Sequence, residues 1–236
     1  FGSAIHWSIE RLCTKMKDNQ NVFPPKEDLV KDFNWYMKNN REAFTPEAFT
    51  LKTDYGEKIL PAYYEYHINR WNKIVIVEKA VRNVAVQNVP INGKLDKLEF
   101  NGKQVNVVDY KTGKYENAKK KLVPPNDKEP NGGDYWRQAV FYKILLDNDR
   151  TNDWQAVSTE FDFIEPVNDE YKTEIIQVNS ADITTVTHQI TDTWQKIQNK
   201  DFKTGCGKPD CEWCNFVKSN NLVVTLHDPE SDEDIN

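Results

Sequence analysis

Hydrophobic positions in the first third of the chain recur every three to four residues. Ile5, Ile9, Leu12 and Met16 form one stripe, which predicts a helix with a single buried face. A second pattern of this kind, KEDLVKDFNWYMKNN, follows Pro24-Pro25, and a proline there suits a helix start. A third, DYGEKILPAYYEYHINRW, contains Pro61. A proline inside a helix lacks the amide donor and crowds the preceding turn, so a kink or a restart is expected at that point.

After about residue 72 the period changes. From KIVIVEKAVRNVAVQNV to VNVVDY, β-branched residues alternate with polar ones, as in half-buried strands. Asn101-Gly102 lies between two of these runs and predicts a type I′ hairpin. VPPNDKEPNGGD reads as loop from its Pro, Gly and Asn content. Asp134 is placed to cap a helix, YWRQAVFYKILL, and two strands follow in WQAVSTEFDFIEP and YKTEIIQV. Ser180 is placed to cap a last helix, with Ile183, Val186, Ile190, Trp194 and Ile197 facing inward. The order is helices, a β meander, one helix, two strands and a helix, which makes a mixed α/β chain with a mainly antiparallel front half.

Alternation also places chemistry. With Asn101-Gly102 as the loop, Phe100 faces Lys103, Leu98 faces Val105 and Asp96 faces Val107. Asp96, Leu98, Phe100, Val105, Val107, Asp109 and Lys111 then share one face, apolar in its middle and charged at its end. Asp96 and Asp109 become diagonal neighbours, roughly 7 to 8 Å apart at Cα. Two carboxylates at the edge of a core repel each other and call for a cation. Lys111 supplies one positive charge and a divalent metal would supply the remainder; carboxylate oxygens with room for water suit Mg²⁺ or Mn²⁺. Metal, lysine and water are the parts of a phosphodiester hydrolase. The same residues also allow a plain salt-bridged strand end, and a bulge in either strand would break the parity.

GKLDKLEF followed by VVDYKTGK resembles the PD-(D/E)XK nuclease motif, in its RecB-like branch, where a strand ends in Asp-Tyr-Lys-Thr-Gly. That branch also carries a His on an early helix, matched here by GSAIHWSIE, and a Gln or Tyr on the helix after the lysine strand, matched by DYWRQAVFYKILL. The resemblance covers residues 2 to about 146 by motif and extends to the end by element order. Gly93-Lys-Leu stands where the superfamily has its proline, as is common in RecB-like members.

The resemblance implies one nuclease domain over 1–236: an α/β fold with a restriction-endonuclease-like core, a central mixed β-sheet flanked by helices, and an N-terminal helical elaboration at about 20–72. It implies that Asp96 and Asp109 are metal ligands, that His6 is a further ligand and that Lys111 is the catalytic lysine. Gln138 becomes a helper that touches DNA or orients the lysine, with Tyr142 and Glu78 as accessory positions. The implied activity is that of an Mg²⁺- or Mn²⁺-dependent DNA nuclease, an exonuclease by preference. The implied partners are DNA and helicase domains or a partner subunit of a repair complex, and a chain beginning at Phe1 fits an excised module. A nuclease fold that cleaves nothing and serves DNA binding or complex assembly is the alternative.

A net charge of −6 and a pI near 5.4 argue mildly against a dedicated nucleic-acid binder. KTGKYENAKKKL nevertheless concentrates Lys114, Lys119, Lys120 and Lys121 behind Lys111, as DNA contacts or as a solvated loop, while DPESDEDIN at about 227–236 collects acid. No apolar run is long enough to span a membrane. Four cysteines in a chain of 236 residues do not form a secreted disulfide framework, so a reducing, cytoplasmic setting is expected. Cys206, Cys211 and Cys214, in the segment of about 204–216, have a spacing that favours a metal such as Zn²⁺ over coincidental thiols. Several RecB-like nucleases tie such a trio to an upstream cysteine through a [4Fe-4S] cluster. The upstream cysteine here, Cys13, follows His6 instead of preceding it.

Overall fold

A computed structural model describes residues 1–201 and 210–220. The chain forms two compact units, Phe1–Thr187 and His188–Asn236. The first opens with three helices: α1 (Gly2–Asp18), α2 (Lys26–Asn39) and α3 (Pro46–His67). The predicted stripe of α1 is buried, with Ile5, Ile9, Leu12 and Met16 at most 1% exposed. It packs with Leu29, Phe33 and Met37 of α2 and Ile59, Leu60 and Tyr63 of α3. Burying each such side chain stabilises the fold by roughly 1.5–3 kcal/mol.

Contrary to the expected break at Pro61, α3 is continuous for 22 residues. The helix also starts earlier than the pattern indicated, at a Thr45 cap whose side chain accepts from the Ala48 amide at 3.2 Å. Ile59, Leu60 and Tyr63, buried on both sides of the proline, hold the helix through the missing hydrogen bond.

Five strands follow in one sheet of order β1-β2-β3-β4-β5: β1 (Val75–Val86), β2 (Val89–Asn101), β3 (Gln104–Lys111), β4 (Gln155–Phe163) and β5 (Thr173–Ile176). β1, β2 and β3 form an antiparallel meander, whereas β3 and β4 run parallel, so the sheet is mixed. The crossover between them contains short α4 (Tyr115–Ala118), the loop read from VPPNDKEPNGGD, and α5 (Asp134–Asp147). Val108 and Tyr110 of β3 join the core of α1–α3, while Val105 and Val107 pack with Leu145 and Tyr142 of α5. Strand alternation thus gives β3 one face for each helical layer.

Two caps differ from expectation. Gly133, not Asp134, caps α5, because its Cβ position would lie 2.3 Å from the Lys121 carbonyl oxygen, an approach that only glycine allows. For α6 (Ser180–Gln198), Asn179 and Asp182 exchange backbone-to-side-chain hydrogen bonds at 3.0 Å, so Asn179 takes the capping role assigned to Ser180. Of the five residues expected to face inward on α6, Val186 is the buried one. The second unit includes α7 (Glu212–Ser219). No helix among the described residues is long and apolar enough to cross a membrane.

Candidate active site

The β2–β3 hairpin turns one residue later than the sequence indicates. Asn101 pairs with Gln104, Phe100 with Val105 and Leu98 with Val107, leaving Gly102 and Lys103 as the loop. Gly102 has φ +61° while Lys103 is not at positive φ, the pattern of a type II′ rather than a type I′ turn. The pairing slips by two positions, an even number, so every side chain keeps its face. Carried to the end of the strands, this register sets Asp96 opposite Asp109 instead of diagonal to it.

A third carboxylate joins the row. Val77 pairs with Lys97 and Lys79 with Leu95, which places Glu78 of β1 opposite Asp96. Glu78 sits at φ +51°, in the left-handed region, and forms an ion pair with Lys94. Backbone strain of this kind clusters where a side chain must be aimed.

Around Asp109 the polar contacts close into a ring. Its Oδ1 accepts hydrogen bonds from Gln138 Nε2 at 2.8 Å and from the Tyr142 hydroxyl at 2.7 Å. Gln138 Nε2 also donates to the Tyr142 hydroxyl at 2.6 Å, and its Oε1 accepts from Lys111 Nζ at 2.8 Å. Lys111 Nζ lies 2.7 Å from Asp109 Oδ2. The same ammonium sits 4.3 Å from the ring centre of Tyr135 and 5.1 Å from that of Phe161. Gln138 and Tyr142, four residues apart on α5, reach the same carboxylate because they share a helix face.

On the other side, His6 of α1 places Nδ1 3.1 Å from Asp96 Oδ2, and that oxygen also accepts from the Tyr110 amide at 3.1 Å. Burial raises the Asp109 pKa; the Lys111 charge opposes this, and the charge of Asp96 adds to it. Burial lowers that of His6, but the hydrogen bond and charge of Asp96 and the charge of Asp109 outweigh it, so the imidazole is protonated more readily than usual. Burial and the charge of Asp109 raise the Tyr142 phenol, which stays protonated and donates. Five expected site residues, His6, Asp96, Asp109, Lys111 and Gln138, are therefore brought to one end of β2 and β3, with Tyr142 beside them.

The sequence profile of the PD-(D/E)XK nuclease superfamily matches residues 1–219. The chain belongs to that superfamily. No curated protein matches it. Among solved structures, a protein of Eubacterium rectale described as a candidate exonuclease is similar at 12% identity, with 85% of this chain and 78% of that one covered and a TM-score of 0.49. The protein SSO0001 is similar at 12% identity, with 83% and 74% covered and a TM-score of 0.35.

Nucleases of this superfamily use divalent metal ions, and the donor set suits one. Mg²⁺ is commonly held by one or two carboxylates plus waters. Asp96 and Asp109 meet that need, and Asp109 Oδ2, buried and outside any well-aligned hydrogen bond, has capacity to spare. Among the described residues no group of three or more His, Cys, Asp or Glu encloses a metal position. His6 meets Asp96 through Nδ1, so Nε2 is the nitrogen left for a metal, and ligation requires the neutral ring.

The lysine segment approaches the site at one point. Lys121 Nζ lies 5.1 Å from the ring of Tyr135, the ring that also faces Lys111, while Lys114, Lys119 and Lys120 are exposed. Tyr135 is a site residue that motif reading passed over; its position three before Gln138, on the same helix face, was the available signal. Cys13 is buried in the α1–α3 core, and burial pushes its thiol up, which disfavours the thiolate a metal needs. Cys211 and Cys214 stand at the start of α7, and Cys206 lies outside the described residues.

Proposed function

We propose that this nuclease-superfamily domain hydrolyses DNA phosphodiester bonds with Mg²⁺ or Mn²⁺ held by Asp96 and Asp109. The observation that carries the reading is the position of Lys111, whose ammonium is fixed between Asp109 and Gln138 at the end of a strand. A structural ion pair requires neither the Gln138 bridge nor the Tyr142 hydroxyl.

A bound ion would polarise a phosphoryl oxygen and acidify a water. The chain's own groups do the remaining work. Asp109 is kept in one rotamer by two donors, Gln138 Nε2 and the Tyr142 hydroxyl. Lys111 offers a fixed positive charge to the phosphoryl group as negative charge grows on it. His6, through Nδ1, steadies Asp96 from the α1 side. A cleft of about 550 Å³, lined by His6, Trp7, Tyr36, Glu78 and Asp96, gives a nucleotide room beside Asp96.

Mn²⁺-dependent digestion of linear single-stranded and duplex DNA, compared with Asp109→Ala and Lys111→Ala, tests the reading. Loss of digestion in both variants supports it; undiminished digestion in both removes the assignment. The likeness of GSAIHW and VVDYKTGK to the RecB-like branch further supports a place beside helicase domains or in a repair complex. ATP-dependent unwinding by the complex that contains this domain is the corresponding measurement.

A further inference from the structure

A second polar pocket, of about 250 Å³, lies on the opposite face of the sheet from Asp109 and Lys111. Tyr110, which points away from the nuclease site, pairs across the sheet with Asp162 of β4, one of the pocket's walls. Three carboxylates, Glu99, Glu160 and Asp162, meet there over one buried ammonium, Lys97. Lys97 contacts Glu99 at 2.8 Å, and Glu160 Oε2 accepts from Asn106 Nδ2 at 3.1 Å. Asp162, 3% exposed, uses Oδ2 to accept from the Tyr63 hydroxyl at 2.5 Å.

Several buried polar atoms around this pocket have no protein partner. They are Asp162 Oδ1, His67 Nε2, Trp71 Nε1 and the Tyr171 hydroxyl, and His67 is only 8% exposed. Buried polar groups are nearly always hydrogen-bonded; three of these orphans, Asp162 Oδ1, His67 Nε2 and the Tyr171 hydroxyl, can accept and so call for a molecule that brings N–H donors, whereas Trp71 Nε1, a donor only, is not served by it. Lys97 and the Arg70 guanidinium, which also lines the pocket, leave one of the three carboxylates without a counter-charge, and burial holds both Glu160 and Asp162 above the usual carboxylate range. The walls are flat and aromatic. His67 and Trp71 lie parallel, with centroids 5.9 Å apart, and Tyr171 meets His67 edge-on at 5.5 Å. At the rim, Arg70 sets its own guanidinium 4.5 Å from the centre of the Tyr66 ring, so one ring of this pocket already receives a group of that kind.

We propose that this pocket binds an organic cation rich in N–H donors, of the guanidinium or amidinium type, paired to Asp162 Oδ1 beside Glu160 and held between the aromatic walls. The flat aromatic walls beside Asp162 suit a planar fork of donors. The cation has two possible sources: a free small molecule, or the arginine side chain of a peptide.

Isothermal titration of the full chain in EDTA, without DNA, separates these outcomes and does not depend on nuclease activity. The probes are methylguanidinium, agmatine and a Gly-Arg-Gly tripeptide, with tetramethylammonium, a cation without N–H donors, as a control. Saturable binding of any guanidinium probe is expected, weakened about tenfold or more by Asp162→Asn. Preference for agmatine identifies a free ligand, and preference for the tripeptide identifies a side chain. Should Asp162→Asn fail to fold, Glu160→Gln, checked by thermal melting, provides the second reading. Absence of saturable binding by folded protein, or binding unchanged in the folded variants, overturns the proposal.

Discussion

Lys111 and Gln138 are joined by a 2.8 Å hydrogen bond from Nζ to Oε1, which ties the last residue of β3 to the second turn of α5. The same amide donates to Asp109 through Nε2, so one uncharged side chain fixes both ions of the pair. Its role is positional. Gln138→Leu is expected to lower the cleavage rate by about 10²-fold while changing DNA affinity much less, because misplacing a reacting group by an ångström has costs of that order. Single-turnover cleavage and a separate binding titration check this; a loss confined to affinity would count against it.

Asp109 and Lys111 are expected to separate activity from stability. The Asp109 pKa is raised even with Lys111 alongside, so burial outweighs the ion pair and the carboxylate's charge is unfavourable to folding. Asp109→Asn should therefore abolish cleavage, by at least on the order of 10²-fold, without lowering the thermal midpoint at neutral pH. Lys111→Ala should lose as much activity. Melting curves and a labelled-DNA assay on the same preparations decide the matter, and an unfolded Asp109→Asn protein would contradict the first claim.

The site was legible because β-strand parity survives small errors of register. The hairpin turns one residue later than Asn101-Gly102 indicates, yet the resulting two-position slip leaves Asp96, Asp109 and Lys111 on the expected side. The turn at Gln87 and Asn88, both at positive φ, is less plain in sequence, since glutamine carries no strong turn signal there. The continuity of α3 through Pro61 depends on tertiary packing that no local pattern records. The same holds for Tyr135, whose place beside Lys111 and Lys121 follows from the tertiary packing of α5.

Gly133 links the fold to the site. A methyl group there would meet the Lys121 carbonyl oxygen at 2.3 Å and its Cα at 2.6 Å, backbone that cannot rotate away. Gly133→Ala is thus expected to destabilise the domain by roughly 1–3 kcal/mol and, by shifting the start of α5, to move Tyr135 and Gln138 away from Lys111. Urea unfolding should show the loss, and Gly133→Ala should cleave DNA more slowly even where it is fully folded. Wild-type stability together with wild-type activity would mean that the contact relaxes at no cost.

Stability should depend on pH through two groups that nearly cancel. Asp162 has a pKa raised by burial to about 6 against an ordinary 3.8. The folded protein therefore takes up a proton that the unfolded chain does not, so this contribution is fully present below 3.8 and is lost as pH rises through 6. His67 is shifted the other way, its pKa lowered by burial, with the charges of Lys97 and Arg70 adding, to about 4 from 6.5. Its contribution is present above 6.5 and is lost as pH falls through 4. The windows overlap, and each spans more than two pH units, or up to roughly 3 kcal/mol. The wild type should accordingly vary little between pH 4.5 and 7 from these two groups. Asp162→Asn should lose stability on acidification, and His67→Gln should gain it, each relative to wild type measured in parallel. Subtracting the wild-type curve removes the shared titrations of His6, Asp109 and Glu160, which are raised in both backgrounds. Urea midpoints at several pH values provide the measurement, and slopes of the same sign in the two variants would show that at least one of these protons is misplaced.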